Sequence, residues 1–281
     1  MLIADCGSSK IHWCLLTSGG GKTEFFTPGM NALLTPPREM LLRFQQELLP
    51  ELADAAAVDK VYFYGAGCVS DAVCADVERA LSEVLPYAVI EVNTDLLAAA
   101  RALCGRKPGI ACILGTGSNS CLYDGDRIVD NVSPLGYILG DEGSGAVLGK
   151  LLVGDVLKRR LPSDLCESFL ETYSLDRITI INKVYREPGA NKFLSSLSPF
   201  LARNIGRQEI RALVRGAFEA FFRRNITSYA GYRYLPCNFV GSVAWHYSEV
   251  LAEAAKREGC MLGKIYKSPV DGLVAYHTDG K

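Results

Sequence analysis

A strand–turn–strand pattern near the start of each half constrains the fold more than any other feature of this sequence. Three short runs of β-forming residues, separated by Gly and Ser, predict a three-stranded meander over residues 1–27. Residues 109–131 repeat the order of strand, Gly/Ser turn, strand, Asp-Gly turn and strand. When residues 7–9 are set on residues 117–119, the flanking apolar strands superpose although few residues are identical. The pattern therefore predicts two related halves.

Helix and strand signals alternate through the rest of the first half. A helical apolar spacing over residues 36–55 is followed by strand and helix signals in turn as far as residue 105, which gives the order βββαβαβα. The rest of the second half is rich in helix signals and closes with a strand at 237–243, a helix at 244–259 and a final strand at 262–269. Such alternation predicts sheets covered by helices, with ligands at the carboxyl ends of the strands.

A joint between two domains is indicated by RKPG at 106–109, because its Pro-Gly pair follows a helix signal and precedes a new strand. With 281 residues and 49% hydrophobic content, the chain can bury a large core in one large or two medium domains. The sequence therefore predicts an α/β domain over residues 1–108 and a second one, with helical insertions, over residues 109–281, with a cleft between them.

Charge and hydropathy exclude several function classes. Lys plus Arg (30) nearly balance Asp plus Glu (31) and no basic run stands out, so we expect no nucleic-acid partner. The N-terminus lacks the basic start and long apolar stretch of a signal peptide, and no apolar run approaches the roughly 20 residues that span a bilayer. We therefore expect a cytoplasmic protein with no membrane partner.

The cysteines and histidines do not form a metal-binding motif. Ten cysteines are scattered through apolar segments without any C-x-x-C pair, which is typical of reduced core residues in a cytosolic chain. The three histidines are far apart in sequence and cannot form a zinc motif with neighbouring cysteines. We therefore expect no structural metal.

The stretch SGGGKT at 18–23 resembles the closing half of a phosphate-binding P-loop. The full motif needs a Gly five residues before Gly21 and a helix after the Lys-Thr pair, but position 16 is Leu and the following EFF is typical of a strand. We therefore interpret this stretch as a Gly-rich hairpin turn, and phosphate would have to bind elsewhere.

The turn after the first strand, in IADCGSSK, is a better phosphate candidate. Its Gly7, Ser8, Ser9 and Lys10 can offer backbone N–H groups, hydroxyls and an ammonium to phosphate oxygens, while Asp5 can hold a cation through oxygen or water. The alternative is an ordinary hairpin turn in which Asp5 bonds the local backbone.

Two further motifs offer the same chemistry. In ILGTGSNS, Gly115, Thr116 and Gly117 form a turn at the matching place in the second half. In FVGSVAWHY, Gly241 permits close backbone approach and Ser242 can cap a helix whose positive end favours an anion. Each motif is weak alone, but together and in this order they fit an ATP site better than three unrelated turns would.

Acidic and amide side chains supply the candidates for catalysis and substrate binding. Asp95 lies where a strand meets an apolar helix, so it can be an N-cap, a general base for a substrate hydroxyl, or both. Asp141 and Glu142 lie between glycines at the predicted start of a helix, where acids complement the macrodipole. Four glycines in ten residues there indicate that the backbone closely approaches another group. Asn31, taken alone, is typical of a turn.

Five motifs, DCGSSK, Thr94-Asp95, GTGSN, GDEGS and VGSV, occur in this order. Their order and spacing resemble the N-acetylglucosamine kinases of the BadF/BadG/BcrA/BcrD ATPase family, within the actin, Hsp70 and sugar-kinase superfamily. The likeness covers nearly the whole chain, and GTGSN followed by GDEGS is its most specific part. It implies two ribonuclease H-like, actin-like ATPase domains with a nucleotide and sugar cleft between them, ATP and Mg²⁺ as cofactors, and a homodimer.

The resemblance also implies roles for individual residues. It makes Asp95 the catalytic base and associates Asp5 with Mg²⁺. The phosphate and adenosine contacts would come from Gly7, Ser8, Ser9, Lys10, Gly115, Thr116, Gly117, Gly241 and Ser242. The sugar contacts would come from Asn31, Asp95, Ser118, Asn119, Asp141 and Glu142.

The implied reaction is transfer of the γ-phosphoryl group of ATP to the 6-hydroxyl of an amino sugar, with N-acetylglucosamine as the first candidate. Cys6 in place of a usual Gly, Ser9 in place of the commoner Thr, and PLGYIL in place of a Gly-Trp-Gly stretch depart from the family pattern and leave the preferred sugar open. The kinase interpretation expects the turns near residues 8 and 117 to face one another across a groove, with Asp95 aimed into it.

Three alternatives remain open at this stage. One is an ATPase activator of a dehydratase, which holds a [4Fe–4S] cluster between two subunits through cysteines. Another is a non-catalytic protein that binds sugar and ATP. The third is a zinc-bearing glucokinase, which the missing Cys/His cluster disfavours.

Overall fold

The computed structural model describes residues 1–17 and 19–278, so Ser18 of the SGGGKT stretch and the last three residues of the predicted 109–281 domain lie outside the described residues. The chain forms two compact units. The first unit comprises Met1–Arg106 and the segment that begins at Pro269, and the second unit comprises Lys107–Ser268.

The first unit is built on a five-stranded mixed sheet. Its strands are β1 (Leu2–Cys6), β2 (Lys10–Leu16), β3 (Lys22–Pro28), β4 (Lys60–Gly65) and β5 (Val89–Thr94). The order across the sheet is β3-β2-β1-β4-β5, with β1, β2 and β3 antiparallel and with β4 and β5 parallel to β1. The predicted meander and the strands that follow it are therefore confirmed.

Helices α1 (Pro37–Arg43), α2 (Asp71–Val84) and α3 (Asp95–Cys104) pack against this sheet. The single helix predicted over residues 36–55 is wrong beyond Arg43, where the backbone widens into a π-helical turn and then narrows into a 3₁₀ turn that contains Pro50. Pro50 has no N–H to donate to the preceding turn, so the α-helical hydrogen-bond pattern cannot continue through it.

The core of the first unit contains a cluster of aromatic side chains. Trp13 of β2 contacts Phe44 and Phe63 at centroid distances of 6.3 and 6.0 Å, and its indole N–H donates to the Thr27 hydroxyl at 2.9 Å. All three rings are essentially inaccessible to solvent, and the one polar atom of the indole has a partner. The cluster holds the sheet against the segment that follows α1.

The second unit repeats the sheet of the first. Its strands are β6 (Gly109–Leu114), β7 (Ser118–Tyr123), β8 (Ile128–Asp130), β9 (Cys237–Val240) and β10 (Leu262–Tyr266). The order is β10-β9-β6-β7-β8, again an antiparallel meander with two strands parallel to its first strand. The repeat predicted from the sequence pattern is therefore confirmed.

The helical insertion of the second unit lies between β8 and β9. The helices of this unit are α4 (Gly136–Leu139), α5 (Gly145–Leu157), α6 (Ser163–Thr172), α7 (Arg177–Tyr185), α8 (Ala190–Ser196), α9 (Ser198–Arg203), α10 (Gln208–Arg224), α11 (Ser242–His246) and α12 (Ser248–Arg257). Phe221 and Phe222 of α10 pack on Phe239 of β9 at centroid distances of 6.0 and 5.8 Å. Burial of these rings attaches the insertion to the sheet.

The pairing register corrects the superposition of the two turns. Cys6 pairs with Ile11 as the last pair before the first turn, and Leu114 pairs with Ser118 before the second. Gly7 is therefore equivalent to Gly115, whereas the sequence comparison had set it on Gly117. The mismatch arose because ILGTGSNS contains two glycines, and glycine letters alone do not fix a strand register.

A last helix, α13 (Val270–Thr278), was missed from the sequence. It packs on α3 and β1, where Val270 and Leu273 are buried, and so belongs to the first unit although the sequence placed it in the second domain. Gly272 inside the helix weakens its sequence signal. A Cβ at Gly272 would overlap the backbone of Ala102 on α3, so the glycine permits the packing.

Across the described residues, none of the helices is both long and apolar enough to cross a bilayer. All ten cysteines are free thiols and most of them are buried, as expected from the sequence.

Candidate functional site

Asp5 lies at the carboxyl end of β1, the middle strand of the first sheet. Burial, together with the nearby negative charge of Asp95, raises the pKa of its carboxyl to about 7 against a smaller opposing effect of Lys10. The central strand thus places an acid in a position where its ionised form is poorly hydrated.

Asp95 is the first residue of α3, directly after β5. Burial raises the pKa of its carboxyl to about 6, although the backbone N–H groups of Leu96 and of Asp95 itself bond to the carboxylate and lower the pKa. The possible N-cap role is wrong, because Thr94 is the N-cap and its hydroxyl accepts from the Leu97 N–H at 3.0 Å. The Asp95 carboxyl is therefore not the N-cap acceptor, although it accepts from the Leu96 N–H within the first turn of α3.

A divalent cation held by Asp5 would offset the charge of the buried Asp5 carboxyl and of Asp95 near it. Each has a raised pKa, and each is withdrawn from water, so their ionised forms lack a counter-charge strong enough to offset the loss of hydration. Oxygen ligands of this kind are preferred by Mg²⁺. Among residues 1–17 and 19–278 no group of three or more His, Cys, Asp or Glu side chains comes together as a metal site, so such an ion would need further oxygens from a bound phosphate or water.

The turn between β1 and β2 is fixed by backbone contacts. The Gly7 N–H donates to the Lys10 carbonyl at 3.0 Å, and the Gly29 N–H donates to the Ser9 carbonyl at 3.2 Å. A Cβ at Gly29 would overlap the turn, so glycine is required for this close approach. The Lys10 ammonium lies 4.4 Å from the centre of the Phe26 ring. The turn is therefore preformed, and its role in binding phosphate stays a prediction.

Asn31 makes the local contacts of a turn residue. Its side-chain oxygen accepts from the Leu33 N–H at 3.1 Å, and its carbonyl accepts from the Leu34 and Thr35 N–H groups at 3.0 Å. The turn role considered from the sequence is thus confirmed, and a sugar contact through Asn31 stays a prediction.

The turn between β6 and β7 in the second unit is held by the start of α5. The Gly145 N–H donates to the Gly115 carbonyl at 2.8 Å, and the Ala146 N–H donates to the Thr116 carbonyl at 3.1 Å. Within the turn, the Gly115 N–H donates to the Gly117 carbonyl at 3.0 Å. Two N–H groups of the first turn of α5 are thus used to fix the candidate phosphate turn.

Asp141 lies beside this turn in a left-handed backbone conformation, with a φ of 52°. Its carboxylate accepts from the Ser118 N–H, while burial and the charge of Glu142 raise its pKa to about 6. A Cβ at Gly117 would lie 3.0 Å from Asp141 Oδ2, so only glycine leaves the carboxylate full room there. The predicted phosphate turn and the predicted sugar acid are therefore brought together within the second unit.

The glycines around Asp141 are explained by packing. A Cβ at Gly149 would overlap the Leu194 carbonyl of α8, and one at Gly145 would overlap the Ser195 hydroxyl. The prediction of close backbone approach is confirmed, and at these two glycines the group approached is α8. The sequence placed Asp141 and Glu142 at the start of this helix. In the structure the helix begins later, at Gly145 with Ser144 as its N-cap, so both acids precede it.

The side chains of Glu142 and Asn119 already have partners. Glu142 Oε1 lies 2.6 Å from Arg224 Nε, and its other oxygen lies 3.3 Å from the Asn225 side-chain amide. The Asn119 side-chain oxygen accepts from the Ser120 N–H at 2.9 Å and from the Asn131 amide at 3.0 Å. The sugar contacts predicted for these two residues stay predictions.

Gly241 lies at the end of β9 with a φ of 123°. A Cβ there would overlap the Leu114 carbonyl, and the Gly241 N–H donates to the Tyr266 carbonyl at 3.0 Å, so the predicted close approach is confirmed. The expectation that Ser242 caps a helix is wrong, because Gly241 occupies the N-cap position and Ser242 is the first residue of α11.

Sequence reasoning missed the two hydroxyl caps that position the candidate site. Thr94 starts α3 and so places Asp95, while Ser144 starts α5 and so places the N–H groups that hold the second turn. Both have the sequence signal of a Thr or Ser directly before a run of helix-forming residues, which could have revealed them.

Comparison with known proteins defines the class of protein. No protein-family model matches this chain, and no curated protein does. A non-polymerising mutant of MamK bound to AMPPNP shares 12% identity and a TM-score of 0.53, over 96% of this chain and 95% of that chain. A candidate N-acetylglucosamine kinase from Chromobacterium violaceum shares 22% identity and a TM-score of 0.71, over 98% of both chains. The fold is the α/β fold of actin-like ATPases and sugar kinases.

A second relative identifies the family to which the chain belongs. A protein from Porphyromonas gingivalis, described as a candidate N-acetylglucosamine kinase, is 47% identical over 100% of this chain and 99% of its own, with a TM-score of 0.96. The chain therefore belongs to the N-acetylglucosamine kinase-like family.

Proposed function

We propose that this chain is an ATP-dependent sugar kinase that phosphorylates the 6-hydroxyl of an amino sugar, with N-acetylglucosamine as the first candidate. The observation that carries the proposal is the Asp95 carboxyl at the start of α3, whose pKa burial raises to about 6 beside the second acid, Asp5. A base with such a pKa is ionised at neutral pH and still accepts a proton readily. Membership of the family supports the sugar as acceptor.

Asp95 would orient the attacking hydroxyl and accept its proton. Phosphoryl transfer needs little covalent chemistry from the protein, so positioning and charge supply most of the catalysis. The Leu96 N–H and the N–H of Asp95 itself hold the carboxylate in place, which fixes the direction from which it accepts a proton.

Asp5 would hold Mg²⁺ directly or through water, and the bound ion would neutralise charge on the phosphate oxygens. The Gly7–Lys10 turn next to Asp5 would contribute backbone N–H groups, hydroxyls and the Lys10 ammonium to phosphate binding. Because backbone hydrogen bonds fix this turn before any ligand binds, little ordering entropy is lost on binding.

In the second unit, Gly115–Gly117 would contact phosphate oxygens, and Gly241 with Ser242 would contact the adenosine. Ser118, Asn119, Asp141 and Glu142 would contact sugar hydroxyls, with Asn31 of the first unit. Asp141 supports this role best, because its carboxylate is fixed by the Ser118 N–H and lies beside the turn. The proposal also includes membership of the BadF/BadG/BcrA/BcrD ATPase family and assembly as a homodimer, both of which the family resemblance implies.

An ADP-release assay of the purified full chain tests the proposal. Glucose, glucosamine, N-acetylglucosamine and N-acetylmannosamine are each supplied with Mg·ATP, and the phosphorylated oxygen of the product is identified by ³¹P-coupled NMR. We expect sugar-dependent ADP release, highest with an amino sugar and with phosphate on the 6-oxygen. Binding of sugar and ATP without ADP release above the sugar-free control would replace the kinase by the non-catalytic alternative.

A further inference from the structure

Two cysteines of the second unit, one at the start of β9 and one directly before β10, lie side by side. Cys237 opens β9 and pairs in register with Leu262 of the parallel strand β10. The Cys237 N–H donates to the Met261 carbonyl at 2.8 Å, and Cys260 precedes Met261 in the chain. Cys260 lies two residues before Leu262, and the two thiols share a side-chain hydrogen bond. The Cys260 S–H also donates to the Glu258 carbonyl at 3.7 Å.

The hydrogen bond makes the two thiols chemically different. It lowers the pKa of Cys260, because it stabilises a thiolate there, and the guanidinium of Arg233 acts in the same direction, against burial and the charge of Glu258. The same bond, together with burial, raises the pKa of Cys237. Cys260 is therefore the thiol that ionises first, with a proton donor already in contact with it.

Solvent exposure also favours reaction at Cys260 over Cys237. Cys260 has an exposed fraction of 8%, whereas Cys237 has 0%. The segment before Cys260 turns at Gly259, which has a φ of 67°, and the neighbouring Met261 is half exposed. A small oxidant therefore reaches Cys260 before it reaches Cys237.

We propose that Cys237 and Cys260 form an oxidative modification site that a hydroperoxide converts to a reversible disulfide. The Cys260 thiolate attacks the O–O bond of the hydroperoxide, gives up two electrons and becomes a sulfenic acid, while the leaving oxygen departs as alkoxide or hydroxide. The Cys237 sulfur then attacks the sulfenic sulfur, the S–O bond breaks, and the Cys237 proton leaves with the hydroxyl group as water. The product ties the first residue of β9 to the segment directly before β10.

Other neighbouring thiols are weaker candidates. In the first unit, the thiols of Cys68 and Cys74 also contact each other, but burial raises the pKa of both, so neither is set up as the attacking thiolate. Cys112 on β6 lies close enough to raise the pKa of Cys237, but it has an exposed fraction of 0%. The order of reaction is therefore expected to begin at Cys260.

The test treats the full, reduced chain with a slight excess of hydrogen peroxide, blocks remaining thiols with an alkylating agent, and maps the peptides by mass spectrometry. We expect a linked peptide pair containing Cys237 and Cys260, lighter by two hydrogens and restored by dithiothreitol, that forms roughly tenfold faster than any Cys68–Cys74 link. In Cys237→Ser, we expect a sulfenic acid at Cys260 that dimedone traps.

Cys166→Ser is the matched control, because Cys166 is a partly buried thiol of the same unit whose pKa burial raises. It should leave the rate of linkage unchanged. If Cys74 or Cys166 is oxidised before Cys260, or if Cys237 links to Cys112 instead, the proposal is wrong. Native circular dichroism of each variant shows that the fold is retained.

Discussion

In the first unit, the turn at residues 7–10 is held by the loop after β3, through the Gly29 N–H; in the second unit, the turn at residues 115–117 is held by the start of α5, through Gly145 and Ala146. The sheets carry the same strand order, but different segments support the equivalent turns. A repeated topology can thus be kept while the local support changes, because a turn needs only some donor for its carbonyls.

The chemistry of the two units differs more than their topology. By the strand register, the residue of the second unit that matches Asp5 is Ile113, which pairs with Asn119 as Asp5 pairs with His12. The first unit therefore has a pair of acids with raised pKa at the carboxyl ends of its strands, whereas the acid of the second unit, Asp141, comes from the helical insertion. We infer that the acid–base role belongs to the first unit.

The largest expected effect on activity comes from replacing Asp95, the candidate base. Asp95→Asn should lower kcat by roughly 10²- to 10⁴-fold with sugar binding largely kept, because the amide keeps the shape and cannot accept the proton. The measurement is steady-state kinetics with binding of sugar followed separately. Asp126→Asn, an exposed acid of the second unit, is the control and should leave kcat unchanged.

The pH profile sharpens the same assignment. Because the pKa of Asp95 is raised to about 6, kcat/KM should fall about tenfold per unit as the pH drops below this value, since the protonated acid cannot act as a base. Asp5, whose pKa is raised to about 7, contributes an acid limb of its own, so the component near pH 6 is the one that Asp95→Asn should abolish. A component near pH 6 that persists in the residual activity of Asp95→Asn would remove Asp95 from the mechanism.

Two glycine substitutions test how closely the backbone packs at Gly241 in the second unit. Gly241→Ala should reduce the free energy of unfolding by about 2–4 kcal/mol, because its φ of 123° and the Leu114 carbonyl both reject a Cβ. Gly216→Ala, exposed on α10 with open space around it, should instead raise that free energy by about 0.5–1 kcal/mol. Urea unfolding measures both. Equal losses in the two variants would contradict the packing at Gly241.

Asp5→Asn should stabilise the first unit while removing activity. A raised pKa means that the folded chain binds the proton more tightly than the unfolded chain between about pH 4 and 7. Stability therefore falls as the pH rises through this window, and the full loss is present above it. The amide avoids that loss and should raise the free energy of unfolding at neutral to basic pH by about 1–3 kcal/mol.

The pH dependence of the stability gain in Asp5→Asn serves as the control for this prediction. Urea unfolding of Asp5→Asn and of the unaltered chain should give the same free energy below about pH 4, where Asp5 is protonated in both states. A gain of equal size at all pH values would assign the effect to packing rather than to charge.

The smallest expected effects concern the two caps. Thr94→Ala in the first unit and Ser144→Ala in the second should each reduce the free energy of unfolding by about 1 kcal/mol. The loss should be larger for Ser144, whose exposed fraction is 0%, because the orphaned N–H of Val147 cannot reach water there. Ser82→Ala, at an exposed position inside α2, serves as the control and should be nearly neutral in chemical unfolding.

Much of the fold could be predicted from the sequence because its signals are local. The strands of both meanders, α2, α3 and α10 follow from apolar periodicity, which depends only on neighbouring residues. The helix predicted over residues 36–55 was too long because the prediction ignored Pro50. The helix α13 was missed because Gly272 is unfavourable in an isolated helix, and its role in close packing is visible only when α3 lies against it.

The candidate site could be predicted in part for the same reason. Asp5 and Asp95 were identified because both stand where a strand ends, and the raised pKa of each agrees with a functional role. The partners of Glu142 could not be predicted, since Arg224 and Asn225 lie on a distant part of the chain. The facing of the two turns across a groove stays a prediction.

The sequence by itself determined which residues form strands, helices and turns, and which acids end those strands, because backbone preferences and apolar periodicity act over a few neighbours. The tertiary structure alone decided that Gly7 matches Gly115, that α13 completes the first unit, and that Cys237 meets Cys260. Those outcomes depend on strand register and on close packing between segments far apart in sequence, which local preferences do not encode.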